Sequence, residues 1–233
     1  MGTKITSFWE DLVDLFFPRV CPGCGKPMAG SERHICTTCL LSLPWLHNHS
    51  LVGAEAAGKF AAFHEVMSVH PFFEYHTKGI VQALLKEIKY KGGSELSRFL
   101  GSHCGETWHV SGCPPKVDLV VPVPLHRRKL RQRGYNQSEL FAEGLSGPLS
   151  TPVDGTLLRR EVYTLSQTKK KKEERIAAMQ HVFSVRAGVN LAGVGVLLVD
   201  DVLTTGATLE GCVEVLVQAG CREIHISTIA AAP

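Results

Sequence analysis

Hydrophobic positions along the chain change period several times, and each change predicts an element. Ile5, Phe8, Trp9, Leu12, Val13 and Phe16 recur at helical spacing, with Glu10, Asp11 and Asp14 on the opposite face. Ser7 with Glu10 three residues on fits a capping box, and Pro18 stops the element, so an amphipathic helix is predicted over residues 1–18. Its polar face is acidic, which suits packing on a domain better than lying on a membrane surface. Residues 47–65 carry His47, His49 and His64 without metal-ligand spacing and read as a connector, with a domain boundary near residue 60. Val66–Tyr75 predicts a short strand broken by Pro71. Ile80, Ala83, Leu84 and Ile88 predict a helix ending near Lys91-Gly92-Gly93, and Leu96, Phe99 and Leu100 begin another. Val117–Val123 predicts a strand with Pro124 at its exit, and Leu140, Phe141 and Leu145 a helix opened by Gly134–Ser138. Thr156–Arg160, His181–Val185 and Ile224–Ile229 complete the strands.

One switch of period carries chemistry. Val196–Val199 is an unbroken apolar run, as in a parallel strand buried on both faces. Asp200 and Asp201 stand at its carboxyl end, then Thr204-Thr205-Gly206-Ala207-Thr208 turns into a helix marked by Leu209, Val213, Leu216 and Val217. The first N–H groups of a helix lack internal acceptors and sit at its positive end, so this turn suits a phosphate. Threonine hydroxyls add donors, and Gly206 admits close approach. The carboxylates would repel that phosphate and are better placed to accept sugar hydroxyls or to help hold a hydrated Mg²⁺. Phosphate at one end and hydroxyls at the other describe a ribose 5-phosphate. The alternative is a turn whose Asp and Thr side chains merely cap the helix.

Cysteines and charge refine this picture. Cys21, Cys24, Cys36 and Cys39 form two Cys-x-x-Cys pairs eleven residues apart, the spacing of a four-thiolate zinc site. Disulfides are the rival, disfavoured in a reducing compartment. A ribbon this short is a folding staple, with partner or nucleic-acid binding as the other role. His34 is a spare ligand to a shell that four cysteines close; Cys104, Cys113, Cys212 and Cys221 show no metal spacing and read as buried thiols. The chain's net charge is only +3, yet residues 126–133 (HRRKLRQR) contribute +5 and residues 169–175 (KKKKEER) +3, leaving −5 elsewhere. Charge gathered in two places fits anion sites rather than a uniformly basic nucleic-acid coat. The first run, with Arg127, Arg128 and Lys129, reads as a basic loop at a strand's carboxyl end, where open α/β sheets bind ligands. It suits a pyrophosphate; solvent or DNA phosphates are the alternatives. Gln167–Arg175 has the composition of a closing lid or of a solvated helix. No apolar run reaches the ~18 residues of a membrane span, and acidic residues interrupt the amino-terminal segment, so a cytoplasmic protein is expected.

VLLVDDVLTTGAT, Val196 to Thr208, resembles the phosphoribosyl-pyrophosphate (PRPP) signature of type I phosphoribosyltransferases. With Phe17-Pro18 before the four cysteines, the VPVP strand and the following RGYNQ, the whole chain resembles the ComF family of competence-associated proteins. In the lid segment Lys170 and Ala178 depart from that family's pattern. The resemblance implies an α/β fold: an αβα phosphoribosyltransferase domain (61–233) of mostly parallel strands behind a zinc ribbon and connector (19–60). It implies transfer of the 5-phosphoribosyl group from Mg²⁺-bound PRPP to a nitrogen acceptor with release of pyrophosphate. Asp200 and Asp201 would hold the ribose hydroxyls, Thr204, Thr205, Gly206, Ala207 and Thr208 the 5-phosphate, and Arg127, Arg128 and Lys129 the pyrophosphate. Structural zinc, Mg²⁺ arriving with PRPP, and a link to DNA uptake through single-stranded DNA or a helicase-like partner complete the expectations. No hood for a base follows the last strand, so an acceptor pocket is expected from the amino-terminal half. Only Tyr135 interleaves with the basic run as an aromatic, which favours a sugar-phosphate site over nucleic acid there.

Overall fold

The computed structural model describes residues 18–46, 50–110, 114–161 and 182–232. The predicted amino-terminal helix, His47, His49, Cys113 and the Gln167–Arg175 segment lie outside the described residues. Four strands, β1 (Val66–Glu74), β2 (Leu119–Pro122), β5 (Gly195–Leu203) and β6 (Glu223–Ala231), form a parallel sheet in the order β1-β6-β5-β2. A separate antiparallel pair joins β3 (Leu158–Arg160) to β4 (Phe183–Val185).

Helices cover both faces of the sheet, which explains the uninterrupted apolar run in β5. Leu197 and Val199 enter a core with α3 (Ile80–Tyr90), α4 (Ser94–Val110) and α6 (Gln137–Leu149). Val196 and Leu198 enter a second core with α7 (Ala207–Gln218) and with Ala56 of α2 (Leu51–Gly58). Of the predicted stripe of α3, Leu84 and Ile88 are buried while Ile80 and Ala83 are half-buried, and Val81 and Leu85 complete the buried face. Gly101 of α4 and Gly144 of α6 mark a close crossing: a Cβ at Gly101 would overlap the carbonyl oxygen of Phe141, and one at Gly144 that of Arg98. Backbone contact of this kind fixes how closely α6 lies against α4.

The amino-terminal region is built into the same body. Cys21, Ile35, Cys36, Leu43 and Cys39 of α1 (Thr37–Leu41) share a buried cluster with Val81, Leu84 and Phe73. Residues 44–46 lie along the outer edge of β1, where Leu46 N donates to Phe72 O at 2.8 Å and Glu74 N to Pro44 O at 2.9 Å. An otherwise open strand edge is thereby paired.

Three expectations about elements need correction. Pro71 does not break β1, which runs continuously with Pro71 opposite Thr228. The proline forfeits one backbone donor, about 1 kcal/mol, whereas burying Phe72 and Phe73 returns about 1.5–3 kcal/mol each. The strand predicted over Val117–Val123 is shorter, running from Leu119 to Pro122. The basic run is not a loop but a short helix, α5 (Arg127–Arg133), capped by the His126 side chain at Arg128 N and closed by Gly134 in the left-handed region (φ 85°).

Candidate functional site

β5 is longer than the apolar run, and its length creates the site. β2 pairs with it only as far as Pro122 opposite Val199, whereas β6 follows it to Leu203. Past Val199 the β2 side of β5 is open, and the first turn of α6 stands in the gap. Asn136 ties that turn down, accepting from Ser138 N at 3.2 Å while its Nδ2 donates to Val123 O at 3.0 Å. Gln137 and Ser138 are buried there and reach the acidic pair.

Gln137 Nε2 donates to Asp201 Oδ2 at 2.6 Å, and Lys89 Nζ, from the last turn of α3, lies 2.7 Å from the same oxygen. Ser138 Oγ donates to Asp200 Oδ1 at 3.0 Å, and the Asp201 N–H donates to that oxygen at 2.8 Å. Each carboxylate is therefore held through one oxygen. Among the described residues no donor reaches Asp200 Oδ2 or Asp201 Oδ1, and neither is sealed from solvent. Fixing one oxygen and leaving the other suits an acceptor for incoming hydroxyl donors. Burial, with Asp201 alongside, pushes the Asp200 carboxyl up to about 7, against the pull of its own donors and of Lys89. The pair does not fit a bare divalent cation, because an ammonium already sits against Asp201.

The turn after β5 keeps its donors open. Gly206 is the N-cap of α7, in the left-handed region at φ 89°, and no side chain caps the helix. Helix capping by the Asp and Thr side chains, the alternative left by the sequence, is thus not what the structure shows. Thr204 and Thr205 are exposed at the same turn. A side chain at Gly206 would place its Cβ 3.6 Å from Cβ and Cδ of Lys59, so a cationic residue just beyond α2 lies beside the turn. Glu210 Oε1 also lies 3.7 Å from that point, and burial followed by Glu214 raises its carboxyl.

Arg127, Arg128 and Lys129 are exposed on α5, and the bonded partners of the acidic pair are Lys89, Gln137 and Ser138 instead. Of the basic run it is Arg133 that connects to the site, donating to Gln137 Oε1. Tyr135 is turned inward, its hydroxyl donating to Ile88 O at 2.6 Å, while Tyr90 is 76% exposed with the Arg133 guanidinium 5.8 Å from its ring centre.

At the other polar centre, the sulfurs of Cys21, Cys24, Cys36 and Cys39 all lie within 4.8 Å of one another. Cys24 and Cys36 are 3.8 Å apart. That is the separation of about 3.8 Å that tetrahedral Zn–S bonds of ~2.3 Å require, and far from the ~2.05 Å of a disulfide. Cys36 N and Cys39 N donate to Cys21 Sγ and Cys36 Sγ at 3.3 and 3.4 Å, the support a thiolate cluster needs. Glu32 locks the second knuckle by accepting from Ala29 N, Thr37 N and Thr37 Oγ1, and these bonds hold its carboxyl below the usual range. His34 packs on the ring of Phe99 at 5.2 Å, and Cys104, Cys212 and Cys221 are buried away from the cluster.

Two family models match the chain, one over each of these regions. Residues 137–233 match the phosphoribosyl transferase domain family, and residues 12–51 match the double zinc ribbon domain family. Competence protein ComFC of Bacillus subtilis (strain 168) is 27% identical over 201 residues, covering 86% of this chain and 72% of its own. Competence protein F of Haemophilus influenzae is 33% identical over 116 residues, 49% of this chain and 51% of its own. DNA utilization protein YhgH of Escherichia coli (strain K12) is 25% identical over 228 residues, 91% of this chain and 96% of its own. The chain is a homologue of these competence and DNA utilization proteins. It carries a phosphoribosyl transferase domain on a parallel sheet flanked by helices, with an amino-terminal four-cysteine zinc ribbon. Among solved structures, a glutamine PRPP amidotransferase from B. subtilis aligns with a TM-score of 0.45 and 19% identity over 63% of this chain. This chain spans 30% of that enzyme.

Within this homologue the sequence left four site residues unassigned: Lys59, Lys89, Gln137 and Ser138. Gln137 and Ser138 stood inside the RGYNQ-S block, and burial of polar residues at a helix start is a signal only coordinates provide. Lys59 and Lys89 carry no local sequence pattern that sets them apart from other lysines. Among the described residues no helix is long and apolar enough to cross a membrane.

Proposed function

We propose that this chain binds PRPP at the carboxyl end of β5 and transfers its 5-phosphoribosyl group to a nitrogen acceptor. The observation that carries this reading is the pair of carboxylates, each held through one oxygen with the other open, beside an uncapped helix amino-terminus. Asp200 and Asp201 accept the ribose hydroxyls. The turn Thr204–Thr208 takes the 5-phosphate through backbone N–H groups and threonine hydroxyls, with Lys59 adding positive charge at its flank. In the reaction the C1–O bond to pyrophosphate breaks as the acceptor nitrogen bonds to C1, pyrophosphate leaves with the electron pair, and the acceptor's proton passes to solvent. Arg127, Arg128 and Lys129 on α5 stabilise the departing pyrophosphate. Mg²⁺ belongs to the substrate, carried on the pyrophosphate of PRPP rather than on the acidic pair. Retention of the site for sensing PRPP without transfer is the non-catalytic form of the same reading.

A second reading is favoured by one surface. Tyr90 under Arg133, with Arg127, Arg128, Lys129 and Arg131 exposed on the adjacent helix, offers an aromatic platform in a basic field, the combination that holds single-stranded nucleic acid. It fits the names of the relatives and a role beside a helicase-like protein in DNA uptake.

One titration series tests both. Calorimetry on the zinc-loaded chain should show PRPP binding in the presence of Mg²⁺ that weakens at least about tenfold in Asp200→Asn/Asp201→Asn, the loss of hydrogen bonds to charged groups. Wild type without PRPP binding overturns the first reading, and pyrophosphate release on adding purines, pyrimidines or their nucleosides separates enzyme from sensor. Anisotropy with a labelled oligodeoxynucleotide should show salt-dependent binding that Tyr90→Ala weakens; binding indifferent to both salt and Tyr90 removes the second.

A further inference from the structure

We infer that Lys89 is the resident counter-cation of the acidic pair, a positioning residue that makes Asp200 and Asp201 acceptors for a vicinal diol and keeps a free divalent cation off them. The inference rests on the proposed ribose site and adds to it the reason the pair selects hydroxyls. Two neighbouring carboxylates at the edge of a closed core ordinarily attract a hydrated metal ion. Here the cation is supplied by the fold.

Lys89 stands in the last turn of α3, whose inner face is anchored by Leu84, Leu85 and Ile88. Its side chain is 24% exposed and its Nζ lies 2.7 Å from Asp201 Oδ2. Gln137 Nε2 occupies the same oxygen from the side of α6, so a metal at Asp201 Oδ2 would have to displace two donors. Mg²⁺ needs near-octahedral oxygen ligands at ~2.0–2.1 Å and loses water reluctantly. Close to an ammonium, it would also meet like-charge repulsion of several kcal/mol at an effective dielectric of about 20. A diol meets neither obstacle: it is neutral, brings two donors, and needs only the oxygens that Lys89, Gln137 and Ser138 leave over.

The position of Lys89 is enforced from both ends of α3. At the far end a Cβ on Gly23, in the first zinc knuckle, would lie 3.2 Å from Ile80 Cγ2. At the near end Ile88 O receives the Tyr135 hydroxyl. Arg133 then holds Gln137 in register with Lys89. The charges that face the carboxylates are thus set by three elements, and none depends on a ligand being present.

The test is Mn²⁺ binding to the full-length, zinc-loaded chain without PRPP, read by electron paramagnetic resonance. Wild type is expected to show no Mn²⁺ bound at the pair. Lys89→Met should bind Mn²⁺ at least about tenfold more tightly than wild type, and the gain should vanish when Asp201→Asn is added. Lys89→Arg, which keeps the charge, should behave as wild type, an outcome that packing alone would not produce. Lys89→Gln makes the same comparison should the Met protein not fold. Wild-type Mn²⁺ binding that Asp201→Asn abolishes, or no gain in Lys89→Met and Lys89→Gln, overturns the inference. Failure of wild type to bind PRPP bears instead on the phosphoribosyl reading, since the Mn²⁺ comparison judges Lys89 without it.

Discussion

The zinc knuckles and the acidic crevice are both polar centres in a largely apolar body, but they are assembled over different lengths of chain. All four thiols come from Cys21 to Cys39, and short local bonds from Ala29, Cys36, Thr37 and Cys39 shape them. The crevice draws Lys89, Gln137, Ser138, Asp200 and Asp201 from three segments spread over more than a hundred residues, with Lys59 at its flank. A centre made by one short loop pair can be lost with its metal. A centre made by three elements can be weakened by a change in any contact that places them.

Removing the metal should therefore have the largest effect. Chelation of zinc, checked by metal analysis, is expected to unfold the ribbon and lower the melting temperature by about 10 °C or more, because a structural zinc site contributes folding free energy directly. Near-UV circular dichroism should change too, since Trp45 packs on Phe73 just beyond the ribbon. A zinc-free chain with an unchanged melt would contradict the zinc-staple reading.

An intermediate effect is expected from Gly144→Ala. Its Cβ would overlap the Arg98 carbonyl, an overpacking cost of about 1–3 kcal/mol or more, and α6, which carries Gln137 and Ser138, would be pushed off α4. Melting should fall by several degrees and PRPP affinity with it, whereas Gly147→Ala, which has open space around it, should leave both unchanged or slightly improved. Equal behaviour of the two variants would show that the α4–α6 crossing does not set the crevice.

The smallest effect sharpens the comparison inside the crevice. Gln137→Ala removes one donor to Asp201 but leaves Lys89 in place, so PRPP affinity should drop about three- to tenfold with the melt little changed. Identical affinity for wild type and variant would mean that Gln137 does not orient the carboxylate.

Features that depend on neighbouring residues were readable in the sequence. The cysteine spacing, the helical stripe of α3, the buried run of β5 and the glycine turn before α7 each follow from local sterics and periodicity. Reading failed where a distant partner decides. Pro71 reads as a break because its missing donor is local, while the packing that carries β1 through it is not. The basic run has the pattern of a loop because it lacks an apolar stripe; His126 and Gly134 cap it into a helix nonetheless. Tyr135 is the aromatic next to the basic residues in sequence, yet the exposed ring beside them belongs to Tyr90, from another helix.

The sequence by itself determined the pieces of chemistry: four thiols at metal spacing, two carboxylates at a strand's end, and a small-residue turn entering a helix. Spacing and backbone conformation act over a few residues, so they are written in the order of the chain. Only the tertiary structure decided what those carboxylates face. The stop of β2 at Pro122 opens the edge of β5, the glycine crossing sets α6 into the gap, and α3 delivers Lys89 to Asp201. Charge and hydrogen bonding act through space, and no local pattern announces which lysine will arrive.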